Sequence, residues 1–176
     1  MDTRPDLETG PGAELATLVM LLGRLERLNE SLVAEVCAVH GVSPSELRVL
    51  GALQHGPSPA RPSDIGRRVV QTSGGMTSTL RRLEQMGRIE RLDDPDDRRS
   101  RRVRVTAEGV RFYDAVLSEL LERYALAFSG LDVGAELEGV RRVTGALERS
   151  RGVASSREWG IPAPAARAAT GDGPRS

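Results

Sequence analysis

Two adjacent arginines, Arg98 and Arg99, follow an acidic turn, Asp94-Pro95-Asp96-Asp97, and precede three more arginines at 101, 102 and 104. Guanidinium groups stay charged at physiological pH and present planar forks of N–H donors. The chemistry on offer is therefore recognition of phosphates or of electronegative base edges, not catalysis. The surrounding residues serve shape. Proline presets φ for a turn, and aspartates bond back to the local backbone. Val103-Arg104-Val105 then alternates apolar with charged, the period of a strand that buries one face. Residues 93 to 106 thus describe a short β-hairpin with a charged tip.

A second set of candidate residues stands just before the hairpin. Met76, Leu80 and Leu83 recur at i, i+4 and i+7, which predicts a helix capped by Thr72 or Ser73, running to about Met86 and stopped at Gly87. Its opposite face carries Ser73, Gly74, Thr77, Ser78 and Arg81. A helix with a small, polar outer face fits the major groove of B-DNA, where side chains of its N-terminal half reach base edges. Gly74 and Gly75 leave room for close approach, and the helix start offers backbone N–H groups to a phosphate. Ser73 and Thr77 are candidates for phosphate or base contacts, with Ser78 on the same face. Arg81 is the candidate for a bidentate guanine contact. Arg82 is the candidate for a phosphate contact, or else pairs with Glu84 or an acid of the hairpin. At the hairpin tip, one of Arg98 and Arg99 is expected to enter the minor groove, and the other to be held by Asp96 or Asp97. Which arginine takes which part is open.

The elements that must position these residues can be read from periodicity. A long helix begins near Leu15, with Leu18, Leu22, Leu25, Leu32, Val36 and Val39 at 3-4 spacing, and ends at His40-Gly41. It is longer than a compact three-helix domain needs, so part of it is expected to pack on a second subunit. Asn29 in its seam either fixes a pairing register or sits at a wet rim. Ser43-Pro44-Ser45-Glu46 reads as a capping box that opens a second helix. His55-Gly56-Pro57-Ser58-Pro59-Ala60 breaks the chain, and a short helix follows from Ser63 to Val69. The hairpin strands are expected at Ile89 to Leu92 and Arg101 to Val105. After Thr106, a helix to about Phe128 carries Phe112, Val116, Leu120 and Tyr124 on one stripe. Another spans about Val133 to Arg149, with Leu137, Val140 and Leu147 inward.

The fold class expected is mainly α with a small β-wing: a winged helix-turn-helix plus a helical dimerisation layer from the N- and C-terminal helices. The corresponding segments are 1–12, a disordered arm; 13–42, a dimerisation helix; 43–106, the winged helix-turn-helix; 107–150, further dimerisation helices; and 151–176, a disordered tail.

Composition narrows the function class. All 25 basic residues are arginine and match 25 acids, for a net charge of zero. The charge is segregated, however. Between Arg61 and Arg104 there are 12 arginines against 7 acids, and the remaining 13 against 18 lie elsewhere. A polyanion responds to the local field, so the central segment qualifies as a basic footprint. The single cysteine, Cys37, excludes an internal disulfide framework and a cysteine-based zinc site, and is expected to be a buried small apolar residue. His40 and His55 are isolated. No catalytic set, metal motif or phosphate-cradling loop is legible, so neither an enzyme nor a cofactor is expected. With no apolar run near the roughly 18–20 residues of a membrane span and no apolar signal core, a cytoplasmic location without membrane contact is expected.

The stretch Pro62 to Gly109 resembles the MarR family of dimeric bacterial transcriptional regulators. The resemblance is carried by Thr72-Ser73-Gly74-Gly75-Met76-Thr77, Arg82-Leu83-Glu84, Gly87, Ile89-Glu90-Arg91, Asp94-Pro95-Asp96-Asp97-Arg98-Arg99-Ser100 and Val105-Thr106-Ala107-Glu108-Gly109. Helix order extends it more loosely over about residues 13 to 149. It implies a homodimer that binds double-stranded DNA, usually as a repressor at a palindromic operator, and a structural Asp–Arg pair in the wing. It also implies a pocket between the winged helix and the dimer layer for a small aromatic or phenolic anion. Departures are Asp64-Ile65-Gly66 where Glu-Leu-Ala is usual, Ser78 where a base is common and Arg81 where an acid is common. The alternative is a winged helix used as a protein–protein interaction module, with the arginine wing meeting an acidic partner.

Overall fold

The computed structural model of the chain describes residues 10–69, 73–95 and 97–153; the side chains of Ser73, Arg98 and Arg99 fall outside that description. Eight elements follow in order: α1 (Gly10–Val39), α2 (Pro44–His55), α3 (Pro62–Val69), α4 (Ser73–Gln85), β1 (Ile89–Asp94), β2 (Asp97–Val105), α5 (Ala107–Ala127) and α6 (Val133–Arg151). This is the mainly helical winged-helix architecture expected. Gly10, Pro11 and Gly12, read as part of the arm, form the first turn of α1. The rest of that arm, the alternative cap Thr72 and most of the tail lie outside the described residues.

Local chemistry sets the junctions. The Ser43 hydroxyl accepts from the Glu46 N–H at 3.2 Å while the Glu46 carboxylate accepts from the Ser43 N–H at 2.7 Å, so the box read in the sequence starts α2. Gly87, with φ of 68°, ends α4 in the left-handed conformation that a Cβ disfavours. The Thr106 hydroxyl both accepts from the Gly109 N–H at 3.0 Å and donates to the Gly87 carbonyl at 2.8 Å. One threonine therefore caps α5 and ties it to the end of α4. Gly109 is required by proximity: a Cβ there would lie 2.1 Å from the Arg88 carbonyl oxygen. The Thr-x-x-Gly spacing is thus the joint between wing and α5.

Two cores meet along α2 and α5. The first gathers Val49, Leu50 and Leu53 of α2, Ile65 of α3, Met76, Leu80 and Leu83 of α4, and Ile89 and Val103 of the hairpin. The second joins Val36 and Cys37 of α1 to Leu47 of α2 and Val116 and Leu120 of α5. Phe112 and Tyr113 pack against both. Cys37 is fully buried, and burial pushes its thiol pKa up.

Three further departures from the sequence reading lie in the fold. The strands are longer than expected, leaving only Pro95 and Asp96 between them. Ala60, read as part of a chain break, pairs with Val103 through hydrogen bonds of 2.9 and 2.8 Å, adding a third strand-like edge to the wing. Finally, α6 has no buried residue: Val140 and Leu147, expected inward, are more than half exposed in the single chain. Their stripe is apolar, but its own chain does not cover it. Among the described residues, no helix is long and apolar enough to cross a membrane, and no His, Cys, Asp and Glu cluster suits a metal.

Candidate nucleic-acid interface

Helix α4 presents two chemically distinct faces. Met76, Leu80 and Leu83 are sunk in the first core, each 3% exposed or less. Gly74, Thr77, Ser78 and Arg81 lie on the exposed side. Ser73 opens the helix. A Cβ at Gly74 would meet nothing within 4 Å, so the described fold has no steric need for glycine there. The Ser78 hydroxyl donates to the Gly75 carbonyl at 2.9 Å, leaving its oxygen free to accept. To donate to a phosphate it must first rotate away. Arg81 is exposed, and no acid among the described residues pairs with it.

Arg82 is differently engaged. Its Nε lies 2.9 Å from a Glu46 carboxylate oxygen in an ion pair, and an Nη donates to the Gly41 carbonyl at 3.5 Å. The partner is neither Glu84 nor a wing acid. Glu84 instead accepts from Arg91 at 2.8 Å.

The wing is a network of internal ion pairs. Antiparallel register sets Glu90 opposite Arg104 and Asp93 opposite Arg101, and each pair forms a salt bridge across the ladder. Between Asp93 and Asp94 the register shifts by a bulge. That turns Asp94 inward, with its side chain fully buried. Its carboxylate accepts from Arg61 at 2.7 Å, from the Ser100 hydroxyl at 3.0 Å and from Arg102 at 3.1 Å. Three donors around one buried carboxylate satisfy it and fix the root of the tip to the segment before α3. Sequence reasoning missed Asp94, Arg61 and Arg102 in this role. Arg101, Arg102 and Arg104, whose guanidiniums offered recognition of phosphates or base edges, all hold acids of the wing. Asp97 is exposed at the start of β2, and Asp96 lies outside the described residues. The backbone of Arg98 and Arg99 runs in β2 beside the tip.

A separate apolar groove of about 940 Å³ runs between α1 and α5, lined among others by Leu22, Leu25, Asn29, Leu121, Tyr124 and Phe128. Tyr124 donates to Asn29 across it and stacks on Phe128 with ring centroids 5.6 Å apart. Asn29 therefore has a partner inside its own chain. Burial and nearby Glu30 raise the Tyr124 hydroxyl pKa, so it remains a neutral donor. The groove draws on α1, α5 and the start of α6, at Val133, but not on α2.

Residues 40–100 match the model of the MarR family. The chain is 31% identical over 121 residues to the HTH-type transcriptional regulator PecS of Dickeya dadantii, covering 68% of this chain and 70% of that one. Its matches span from 54% to 70% of the length of the curated regulators it resembles. Among solved structures, the Staphylococcus aureus MepR–DNA complex shares the fold with a TM-score of 0.63 at 20% identity, over 74% of this chain and 96% of that one. CouR of Rhodococcus jostii RHA1, bound to p-coumaroyl-CoA, shares it with a TM-score of 0.63 at 19% identity, over 76% and 90%. A two-faced helix leading into a bulge-anchored arginine wing, together with these likenesses, places the chain in the MarR family of transcriptional regulators.

Proposed function

We propose that the protein is a homodimeric, sequence-specific DNA-binding regulator, acting as a ligand-responsive repressor at a palindromic operator. The observation that carries this reading is the uncovered polar face of α4, whose opposite apolar face is sunk in the core. Side chains on such a helix reach base edges in the major groove. In this reading Ser73, Thr77 and Ser78 contact phosphates or base edges, Gly74 permits close approach, and Arg81 reads a guanine. Arg98 or Arg99 enters the minor groove, with Asp96 or Asp97 steadying the tip. MepR, captured on DNA, is a precedent for the fold.

Dimerisation is supported by apolar side chains that their own chain leaves uncovered. Leu15, Val19, Met20, Leu21 and Leu28 of α1 are each more than half exposed, as are Val140 and Leu147 of α6. A patch of this kind marks an interaction surface. Two-fold pairing through it presents two copies of α4 to half-sites one helical turn apart.

For an effector, the groove offers aromatic rings and the Tyr124–Asn29 pair, which suit an aromatic or phenolic body. Its charged lining residue is Glu26. An anionic group on the ligand must therefore point away from that rim. CouR, with its p-coumaroyl-CoA, is a precedent for such a ligand on this fold. A ligand acts only through different affinities for the DNA-competent and incompetent arrangements.

A gel-shift titration with the promoter of the protein's own gene tests the proposal. Expected are a discrete complex, affinity falling steeply as salt rises, and release by a phenolic acid. Binding equal to that of a scrambled duplex overturns the operator reading.

A further inference from the structure

Arg82 and Glu46 join the recognition helix to the corner between α1 and α2. Resting on the DNA-binding reading, we propose that Arg82 is a positioning residue that fixes the pitch of α4 through this corner and makes no phosphate contact of its own.

The geometry argues for a preset acceptor. Glu46 is only 3% exposed, and one carboxylate oxygen is already held by the Ser43 N–H at 2.7 Å in the capping box. Its other oxygen takes the Arg82 Nε at 2.9 Å. The acceptor cannot swing to follow the arginine, so the arginine must come to it. The second contact, to the Gly41 carbonyl, lands on the residue of φ 65° that ends α1. One guanidinium therefore spans α4, the N-terminus of α2 and the C-terminal end of α1. Arg81 and Arg82 are neighbours in sequence but about 100° apart around a helix. Both side chains are exposed, but Arg81 has no acid among the described residues beside it, whereas Arg82, 61% exposed, brings its guanidinium against the corner. Apolar packing of Met76, Leu80 and Leu83 sets the depth of α4 but resists rolling weakly, because dispersion contacts are non-directional. An ion pair to a fixed oxygen, joined by a hydrogen bond from the same guanidinium to the Gly41 carbonyl, anchors one side of the helix at two points and resists it. Removing the arginine takes away the cation in direct contact with a buried carboxylate and leaves it only the more distant Arg88, which strains the same corner.

The test compares Arg82→Gln, Glu46→Gln and the double variant. Glutamine at 46 can still accept from the Ser43 N–H, so the cap is retained. In hydrogen exchange of the DNA-free protein, amides of α4 should lose protection in either single variant, with no further loss in the double. In operator binding, each single variant should weaken affinity roughly tenfold, the double no more, and the ratio of operator to scrambled-duplex affinity should fall in parallel. The slope of log affinity against log salt should stay at the wild-type value. A slope reduced by about 0.9 in Arg82→Gln, with Glu46→Gln unaffected, would make Arg82 a phosphate contact and overturn the proposal. Unchanged exchange in α4 in both single variants overturns it as well, whatever the DNA result. A wild-type protein that ignores operator sequence sinks the DNA reading, and the exchange arm still decides whether the corner holds α4.

Discussion

The molecule leaves two surfaces uncovered, and they differ in kind. The outer face of α4 is small, polar and cationic: Gly74, Thr77, Ser78 and Arg81. The outer faces of α1 and α6 are apolar, with Met20 at 74% exposure. Each is an amphipathic helix sunk on one side or unsupported on the other, so helix formation does not distinguish them. What differs is the partner each can pay for in desolvation. Water leaves an apolar face at a gain of roughly 25 cal/mol per Å², so another apolar face is its natural cover. The polar face gains little from burial and must find matched hydrogen-bond partners, which a DNA groove supplies.

The largest effect expected from breaking this contrast comes from putting a charge on the apolar side. In the proposed dimer Leu21→Glu would occur twice across the two-fold interface, and a buried unpaired carboxylate costs on the order of 3 kcal/mol or more. The dimer dissociation constant should rise by a factor of at least about a hundred. Sedimentation of wild type and variant over a concentration series checks this; an unchanged distribution removes α1 from the interface.

A smaller loss is expected on the polar side. Arg81→Ala should cost about 1–3 kcal/mol of operator affinity and relax preference at one base pair in each half-site. Binding to operators substituted one position at a time distinguishes this from a uniform loss, which would mark Arg81 as a phosphate contact.

The smallest effect sharpens the comparison. Gly74→Ala meets open space within the chain, so it should stabilise α4 by up to about 1 kcal/mol. Operator affinity should nonetheless fall, because the added methyl occupies room needed by the duplex. A thermal melt and a gel shift read the two signs separately. Improved binding would mean that glycine has no role at the interface.

Legibility in the sequence followed the range of the interaction. The capping box at Ser43 and Glu46 and the Gly87 stop were readable, because each is a contact within a few residues, whereas the Thr106–Gly109 joint, which reaches back to Gly87 and Arg88, was legible only through the resemblance. The core face of α4 was readable because helical period alone puts Met76, Leu80 and Leu83 together. Asp94 was not. A strict period of two leaves its face uncertain beside Asp93, and the bulge between them decides it. Its partner Arg61 is 33 positions away. Nor was the fate of Arg101, Arg102 and Arg104 readable, since cross-strand pairing depends on a register the turn alone does not specify.

The sequence by itself determined the order of elements, the two faces of α4 and the segregated charge that suits a polyanion, because period, turn chemistry and composition are local. Tertiary structure alone decided which charges are free and which are spent. It turned Asp94 inward and surrounded it with donors, drew Arg82 to Glu46 across 36 residues, and left the apolar stripes of α1 and α6 facing outward. The reason is physical. A guanidinium pairs with whatever carboxylate the packed backbone brings within about 3 Å, and that distance is set by helices meeting in space.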